Sequence, residues 1–237
     1  MVLQDIFDQL THGELRQLFI GDNLGEEGLR EEDKPRLIAH IQLGLTALHK
    51  RFLLKERKLT INLQEGRSTY VLKSIYSQYN EKSQELIKYI DDAEVPFKDD
   101  LLQIERVLND KGEELPLNRH SDPKTIRTPS YNTLIVPPDL ETETLTVLYR
   151  ADHPKIDPIM GKAVSFREEI DLPVTHLEAL LYFVASRYMN PIGLAGDFHE
   201  GNNYASKYEI ACQELEGKGY QLNSQDDVHR FEDSGWI

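Results

Sequence analysis

The chain has 237 residues and a mass of 27.4 kDa, and its 39% hydrophobic content suffices for one large domain or two small ones, which excludes disulfide miniproteins and collagen-like chains. A total of 27 Lys and Arg against 41 Asp and Glu gives a net charge of -14, which argues against a surface that holds nucleic acid tightly. We expect a soluble, unsecreted protein for three reasons. The mean hydropathy is -0.51, the first residues are acidic where a signal peptide would be basic, and the chain has a single cysteine.

The N-terminal region shows two helical patterns separated by an acidic, glycine-containing loop. Four apolar residues form the stripe of a first amphipathic helix: Leu3, Ile6, Phe7 and Leu10. Thr11 and Glu14 have the spacing of a capping box, which predicts a second short turn at residues 14–19. Asp33 then predicts the start of a long helix that reaches Leu54. The apolar positions of that helix repeat at threes and fours: Leu37, Ile38, Ile41, Leu45, Leu48 and Phe52.

The middle of the chain changes to the alternation of period two that is typical of strands. Residues 59–63 and 70–72, with Gly66 between them, predict a β-hairpin. A second hairpin is predicted to turn at residues 109–112, where Gly112 suits a positive φ. Further strands are predicted at residues 102–108, 114–117, 133–136 and Thr144–Ala151.

Helical spacing returns near the C-terminus. Residues 174–189 predict a helix with a wide apolar stripe, and Pro191 ends it. Residues 203–215 predict a further helix, which is followed by a polar and acidic tail. We expect Leu180 and Leu181 to pack against the long N-terminal helix.

The order of helices, then strands, then helices indicates the α+β class. The simplest arrangement is a small helical bundle formed by residues 1–56 and 172–217, the N- and C-terminal helices. Residues 57–171 then form an inserted antiparallel β domain, and residues 218–237 form an extended C-terminal tail.

Motifs for phosphate loops, dinucleotide folds and nucleophile elbows do not occur, and no cofactor is expected. Asp197, His199 and Glu200 are the densest group of metal-ligand types, so a metal-dependent hydrolase that uses them is the alternative hypothesis. Cys212 is interpreted as a small buried thiol. Two other pairs are interpreted as solvated surface groups: His176 with Glu178, and Asp152 with His153. A nucleic-acid-binding module is a third hypothesis, which the charge disfavours.

Several segments together resemble the head-to-tail adaptor proteins of tailed bacteriophages, a family also called tail tubular protein A or head-completion connectors. The segments are residues 38–52, 59–63 with 70–72, 102–112 and 172–187. The last, LPVTHLEALLYFVASR, is the most diagnostic, because a Leu-Pro entry opens a helix that ends in Ala-Ser-Arg and precedes another helix. The resemblance covers about residues 35–217; residues 74–93 and the tail after Gly219 depart from it.

The resemblance implies a structural virion protein and not an enzyme. Such proteins form a homo-oligomeric ring, commonly a dodecamer, between the portal protein and the tail tube or nozzle protein. The ring continues the channel through which genome DNA passes without specific binding during ejection. The implied location is the head–tail interface of the virion, after synthesis in the host cytoplasm, and no membrane is involved.

The tail and the acidity each have two interpretations in that setting. Phe231, Trp236 and Ile237 are large apolar residues in a polar stretch, which predicts a portal-binding arm. The alternative is that the tail folds back on the bundle. The negative charge either lines the channel and repels DNA, or keeps the protein dispersed before assembly.

Overall fold

A computed structural model describes residues 1–13, 34–80, 85–119, 122–156, 168–189 and 195–219, with the backbone alone for residues 195–200. Within these ranges the chain has four α-helices and two antiparallel sheets. The predicted α+β class is therefore confirmed. The predicted turn at residues 14–19, the cap at Asp33 and the tail after Gly219 lie outside the described residues.

The chain divides into two compact units. The helical unit comprises Met1–Leu54 and His153–Ile237, and the strand unit comprises Lys55–Asp152. The second boundary lies earlier than the predicted residue 171. Ile156 and Ile170 are both buried in the core of the helical unit and not in the core of the strands, so the boundary lies before Ile156.

The helical unit contains helix α1 (Leu3–His12), α2 (Lys34–Arg51), a short 3₁₀ helix (Val174–His176), α3 (Leu177–Tyr188) and α4 (Ala195–Gly217). Their apolar stripes meet in one core. Each fully buried Leu, Ile or Phe side chain contributes roughly 1.5–3 kcal/mol to such a core. The predicted stripes of the first two helices are buried as expected: Leu3, Ile6, Phe7, Leu10, Leu37, Ile38, Ile41, Leu45, Leu48 and Phe52.

Helix α1 begins at a short antiparallel bridge between Val2 and Glu169. The Asp5 carboxylate accepts a hydrogen bond of 2.9 Å from the Val2 N–H and so satisfies the start of the helix. Thr11 lies inside α1, and its hydroxyl donates to the Phe7 carbonyl at 2.8 Å. The prediction that Thr11 caps a following turn is therefore wrong.

Two helix boundaries differ from the prediction. Helix α2 ends at Arg51, before the predicted end at Leu54, and Phe52 enters the core beyond it. Helix α4 begins at Ala195, eight positions before residue 203. The glycines at 196 and 201 lower intrinsic helix propensity, and the sequence pattern therefore favoured a loop there. Propensity is a weak signal when a neighbouring helix supplies packing.

The strand unit contains eight strands: β1 (Glu56–Asn62), β2 (Thr69–Val71), β3 (Ile90–Asp91), β4 (Leu101–Leu108), β5 (Glu114–Leu115), β6 (Arg127–Ser130), β7 (Thr133–Ile135) and β8 (Thr144–Ala151). Five form one antiparallel sheet in the order β3-β1-β8-β4-β5, and three form another in the order β2-β7-β6. The two sheets share one core, with Leu145, Val147 and Tyr149 of β8 at its centre. A 3₁₀ helix, Ser74–Tyr76, follows β2.

One predicted hairpin forms and the other does not. Strands β4 and β5 pair as predicted, and Gly112 in their turn has a φ of 79°. Strands β1 and β2 belong to different sheets, because β1 pairs with β8 while β2 pairs with β7. The Leu63 N–H donates to the Glu143 carbonyl at 2.8 Å, so the chain after β1 continues alongside the residue that precedes β8 and does not turn back. Alternation fixes which face is buried but not which strand is the partner.

Tyr89 ties the two sheets together. Its hydroxyl donates to the Val71 carbonyl at 2.7 Å and accepts from the Val71 N–H at 2.9 Å, so it completes the free edge of β2. The ring stacks on Tyr76 and meets Tyr70 edge to face, with centroids 4.9 and 5.1 Å away. Burial raises the pKa of Tyr89 to about 12.

Candidate functional site

Helices α2 and α3 pack directly on each other. A Cβ built on Gly44 of α2 would lie 2.6 Å from Leu180 Cδ1 and 3.0 Å from Phe183 Cδ1, both on α3. Towards the start of α2, the Arg36 guanidinium lies 4.9 Å from the ring centroid of Tyr188, near the end of α3. The helices are therefore antiparallel, and glycine allows their close approach.

Arg51, the last residue of α2, joins that helix to α4 through two carboxylates. Its Nε donates to Glu216 at 2.6 Å, and its two terminal nitrogens each lie 2.8 Å from an oxygen of Glu209. The hydrogen bond to Arg51 lowers the pKa of Glu209, and the bonds to Glu209 and then Glu216 raise the pKa of Arg51. Glu209 is half exposed, so this network contributes little to the free energy of unfolding. Its main effect is to fix the end of α2 against α4.

Cys212 is buried on α4, as predicted. Burial raises the pKa of its thiol, and burial also raises the pKa of the neighbouring Tyr208 hydroxyl. A protonated, enclosed thiol is a poor nucleophile. Cys212 therefore acts as a packing residue.

Three histidines lie in the core of the helical unit: His49, His153 and His176. The prediction that His153 and His176 are solvated is therefore wrong. His176 packs edge to face on Phe52 at 4.8 Å, and His49 meets His153 at 5.8 Å. The helical spacing of His49 with Leu45 and Phe52 could have indicated its burial from the sequence.

The hydrogen bonds of His153 are those of a neutral imidazole. His153 Nε2 accepts from the Asp171 N–H at 3.2 Å, so its proton lies on Nδ1, which donates to the Pro154 carbonyl at 2.6 Å. Burial, and then the charge of His49, lower the pKa of His176. Among the described residues, no group of three His, Cys, Asp or Glu side chains could hold a metal ion.

The residues of the alternative hydrolase hypothesis lie at the start of α4. Asp197, His199 and Glu200 belong to its helical backbone, so the prediction that they lie in a loop connection is wrong. Their side chains are outside the described residues, and the metal site itself stays a prediction. The predicted portal-binding residues Phe231, Trp236 and Ile237 are also outside the described residues.

The strand unit presents an apolar loop surface. Tyr79 and Val95 are 62% and 58% exposed. Tyr79 lines a cleft of about 400 Å³ together with Phe97 and Asp99. Asp99 adopts a φ of 58°, and its carboxylate accepts hydrogen bonds from the backbone N–H and the hydroxyl of Ser74, which holds the loop in place. This surface suits contact with another protein better than chemistry, because Asp99 is engaged and the other carboxylate of the cleft, Asp92, accepts from the backbone N–H groups of Tyr79 and Phe97.

Comparison of the chain with models of known protein families and with curated proteins finds no match. In the part of the chain that the structure describes, no helix is long and apolar enough to cross a membrane. The chain is thus a mixed α+β protein of two units, and its function is argued from its own residues.

Proposed function

We propose that this protein is a head-to-tail adaptor of a tailed bacteriophage. In this role it is a structural virion protein whose copies form a ring, twelve in number in the resembling family, between the portal and the tail tube or nozzle. The ring continues the channel for genome DNA. The observation that carries the proposal is the segment of residues 172–187, whose resemblance to the family is the most specific.

The local structure of that segment supports the proposal. Pro173 precedes the short 3₁₀ helix with a φ of -59°, and α3 follows directly from Leu177. The Ala-Ser-Arg tripeptide ending at Arg187 occupies the last turn of α3, and α4 follows it along the chain. This is the order that the family resemblance implies. The second resembling segment, residues 38–52, lies on α2, which packs against α3 at Gly44.

In the proposed adaptor, the N- and C-terminal helices form a ring-forming bundle, residues 55–152 form an inserted β domain, and residues 218–237 form an extended tail. The division of the chain into two units supports this organisation. So does the hydrogen bond of 2.8 Å from the Ile170 N–H to the Met1 carbonyl, because it joins segments that are far apart in the sequence within the helical unit.

We propose that the exposed side of helix α4 contacts neighbouring copies in the ring. Over residues 202–217 most of its side chains are exposed; Cys212 and Leu215 are buried, and Tyr204, Tyr208 and Ala211 are partly buried against the core. Ile210 is 56% exposed on this helix. The described side chains of α4, those of residues 201–217, therefore leave exposed surface that a second chain can cover.

The first experiment tests the ring. The protein is co-expressed with the portal protein of the same phage genome, and the purified material is measured by mass photometry and negative-stain microscopy. We expect a ring stacked coaxially on the portal. The variant Ile210→Glu should keep the melting temperature of the wild type and lose the ring, whereas Lys218→Gln, at the end of the same helix, should keep both. A protein that stays monomeric and never co-sediments with the portal would exclude the proposal.

The second experiment tests the tail as a portal-binding arm. Trp236 is the single tryptophan, so incorporation of 5-fluorotryptophan gives one fluorine resonance from the tail. Adding unlabelled portal should shift or broaden that resonance, and a chain truncated after Gly219 should keep its melting temperature while losing portal attachment. A lower melting temperature of the truncated chain would instead show that the tail folds back on its own helices.

A further inference from the structure

Exposed apolar side chains concentrate in one part of the strand unit. Nine large apolar side chains are exposed among the described residues, and five of the nine lie between residues 75 and 95. These five are Ile75, Tyr79, Leu86, Ile87 and Val95. Such a concentration in a short segment is typical of a surface that another molecule covers.

Asp92 brings two parts of this segment together. Its carboxylate accepts a hydrogen bond of 3.2 Å from the Tyr79 N–H and another of 3.1 Å from the Phe97 N–H. Val95 lies two positions before Phe97 in the sequence. The exposed side chains of Tyr79 and Val95 therefore belong to one surface, which lies on the loops before and after β3.

The cleft of about 400 Å³ described above opens within this surface. Tyr79 and Phe97 are its aromatic residues, and Asp92 and Asp99 are its carboxylates. Neither carboxylate forms an ion pair with a residue that the structure describes, although Lys98 also lines the cleft. Asp92 is only 5% exposed, and a buried carboxylate without a cationic partner makes the cleft electronegative.

Side-chain hydrogen bonds fix the walls of the cleft. Asp99, with its φ of 58°, is held by the N–H and the hydroxyl of Ser74, and the Asn80 side-chain amide donates to the Ser74 carbonyl at 2.8 Å. A carboxylate offers about four acceptor positions, and the described hydrogen bonds use two of them on Asp92 and two on Asp99. The cleft can therefore accept further N–H donors with little loss of conformational entropy in its own walls.

We propose that this surface binds a partner protein through an arginine side chain that enters the cleft, while apolar residues of the partner cover Tyr79 and Val95. A guanidinium is planar, so it can stack on an aromatic ring and donate to a carboxylate at the same time. The proposal goes beyond the adaptor function and does not depend on it, because it rests on the strand unit alone.

The charge of the surrounding chain favours a basic partner. Residues 91–100 include five acidic residues and one lysine. A partner with a positive surface around its arginine is therefore attracted to this loop, and an acidic partner is repelled. The same charge disfavours a nucleic acid as the occupant.

The test selects short peptides on the full-length protein. A library of random peptides is selected against immobilised wild type, and the enriched peptides are synthesised and titrated by fluorescence anisotropy. We expect them to share an arginine between apolar residues. Citrulline in place of that arginine keeps its shape and removes its charge, and should weaken the binding about tenfold or more, because a charge-assisted hydrogen bond is lost.

Two variants remove the proposed contacts from the protein. Tyr79→Ser removes an aromatic wall, and Asp99→Asn removes a charge while keeping an acceptor oxygen and tolerating the positive φ. Each should weaken binding of the selected peptides about tenfold or more. Both side chains are exposed, so both variants should stay folded. Tyr131→Ser is the matched control, because Tyr131 is a tyrosine of the strand unit that is 64% exposed and does not line the cleft.

Several results would overturn the proposal. They are a selection that enriches no peptide, enriched peptides without arginine, citrulline peptides that bind as tightly as the arginine peptides, and a loss of binding in Tyr131→Ser as large as in Tyr79→Ser. A Val95→Glu variant that lowers the mass of the free protein in solution would also overturn it, since the surface would then be a contact between copies of this chain.

Discussion

Replacement of Gly44 by Ala tests the contact between α2 and α3 most directly. The new methyl group would lie 2.6 Å from Leu180 Cδ1 and 3.0 Å from Phe183 Cδ1, closer than carbon atoms pack. Leu180 is fully buried, so its side chain has little space into which it can rotate. The two helices must therefore separate slightly or Leu180 must adopt an unfavourable rotamer.

Two effects of opposite sign determine the size of the change. Ala is better than Gly in a helix interior by about 1 kcal/mol. Overpacking a filled core costs about 1–3 kcal/mol. We therefore expect Gly44→Ala to lower the free energy of unfolding by roughly 0–2 kcal/mol, the difference between the two. Leu180→Ala alone should cost roughly 2–5 kcal/mol, because it leaves a cavity.

The double variant separates the two effects. With Leu180 replaced by Ala, the closer of the two clashing atoms is absent and the Phe183 ring gains space to move, so Gly44→Ala should then raise the free energy of unfolding by up to about 1 kcal/mol. Urea unfolding followed by circular dichroism at 222 nm measures these changes in the helical unit, where all four described α-helices lie. Gly217→Ala is the control, because no atom lies within 4 Å of a Cβ at that position.

A Gly44→Ala effect of the same size with Leu180 present and absent would refute the reasoning. It would mean that the close approach of the two helices does not depend on Leu180. A Gly217→Ala effect that changed in the Leu180→Ala background would show that the variants perturb the helical unit globally and not at this contact.

Three further predictions concern buried polar groups. Tyr89→Phe should lower the free energy of unfolding by about 1–3 kcal/mol in urea titrations, because both polar groups of Val71 lose their partner; no loss would contradict the proposed link between the sheets. Below pH 6.5 the helical unit should lose stability, since the unfolded chain binds protons before His176 does in the folded state; the urea midpoint should fall from pH 7.5 to 5.5, and by less in His176→Phe. Cys212 should resist iodoacetamide until urea unfolds the chain, and prompt labelling of the folded protein would show that it is accessible.

Helix positions and buried faces could be predicted well from the sequence, because they depend on local periodicity. The stripe of α1 and the inward residues of β8 are examples. The pairing of β1 with β8 could not be predicted from the sequence, because it joins residues such as Ile61 and Leu145 that are distant along the chain. Alternating residues are compatible with several partners, and only tertiary packing selects among them.

The candidate site was less predictable. The sequence predicts surface groups at two histidine positions, because His153 lies beside a loop proline and because His176 and Glu178 point apart on a helix. Their burial depends on contacts with Phe52 and Asp171 from other segments. The contact of Arg36 with Tyr188 has the same origin, because it exists only where α2 and α3 meet.

The first and last residues of the strand unit are joined by a hydrogen-bonded ladder. Glu56 pairs with Arg150, and the Ala151 N–H donates to the Lys55 carbonyl at 2.9 Å. For a flexible loop of about 100 residues, bringing the ends together costs roughly 4 kcal/mol of chain entropy. Once folded, the strand unit has already closed this loop, so only residues 52–54 and 153–176 remain to connect it to α2 and α3. Substitutions that break the β1–β8 ladder should therefore weaken the helices without touching them, and a short linker in place of residues 55–152 should restore them.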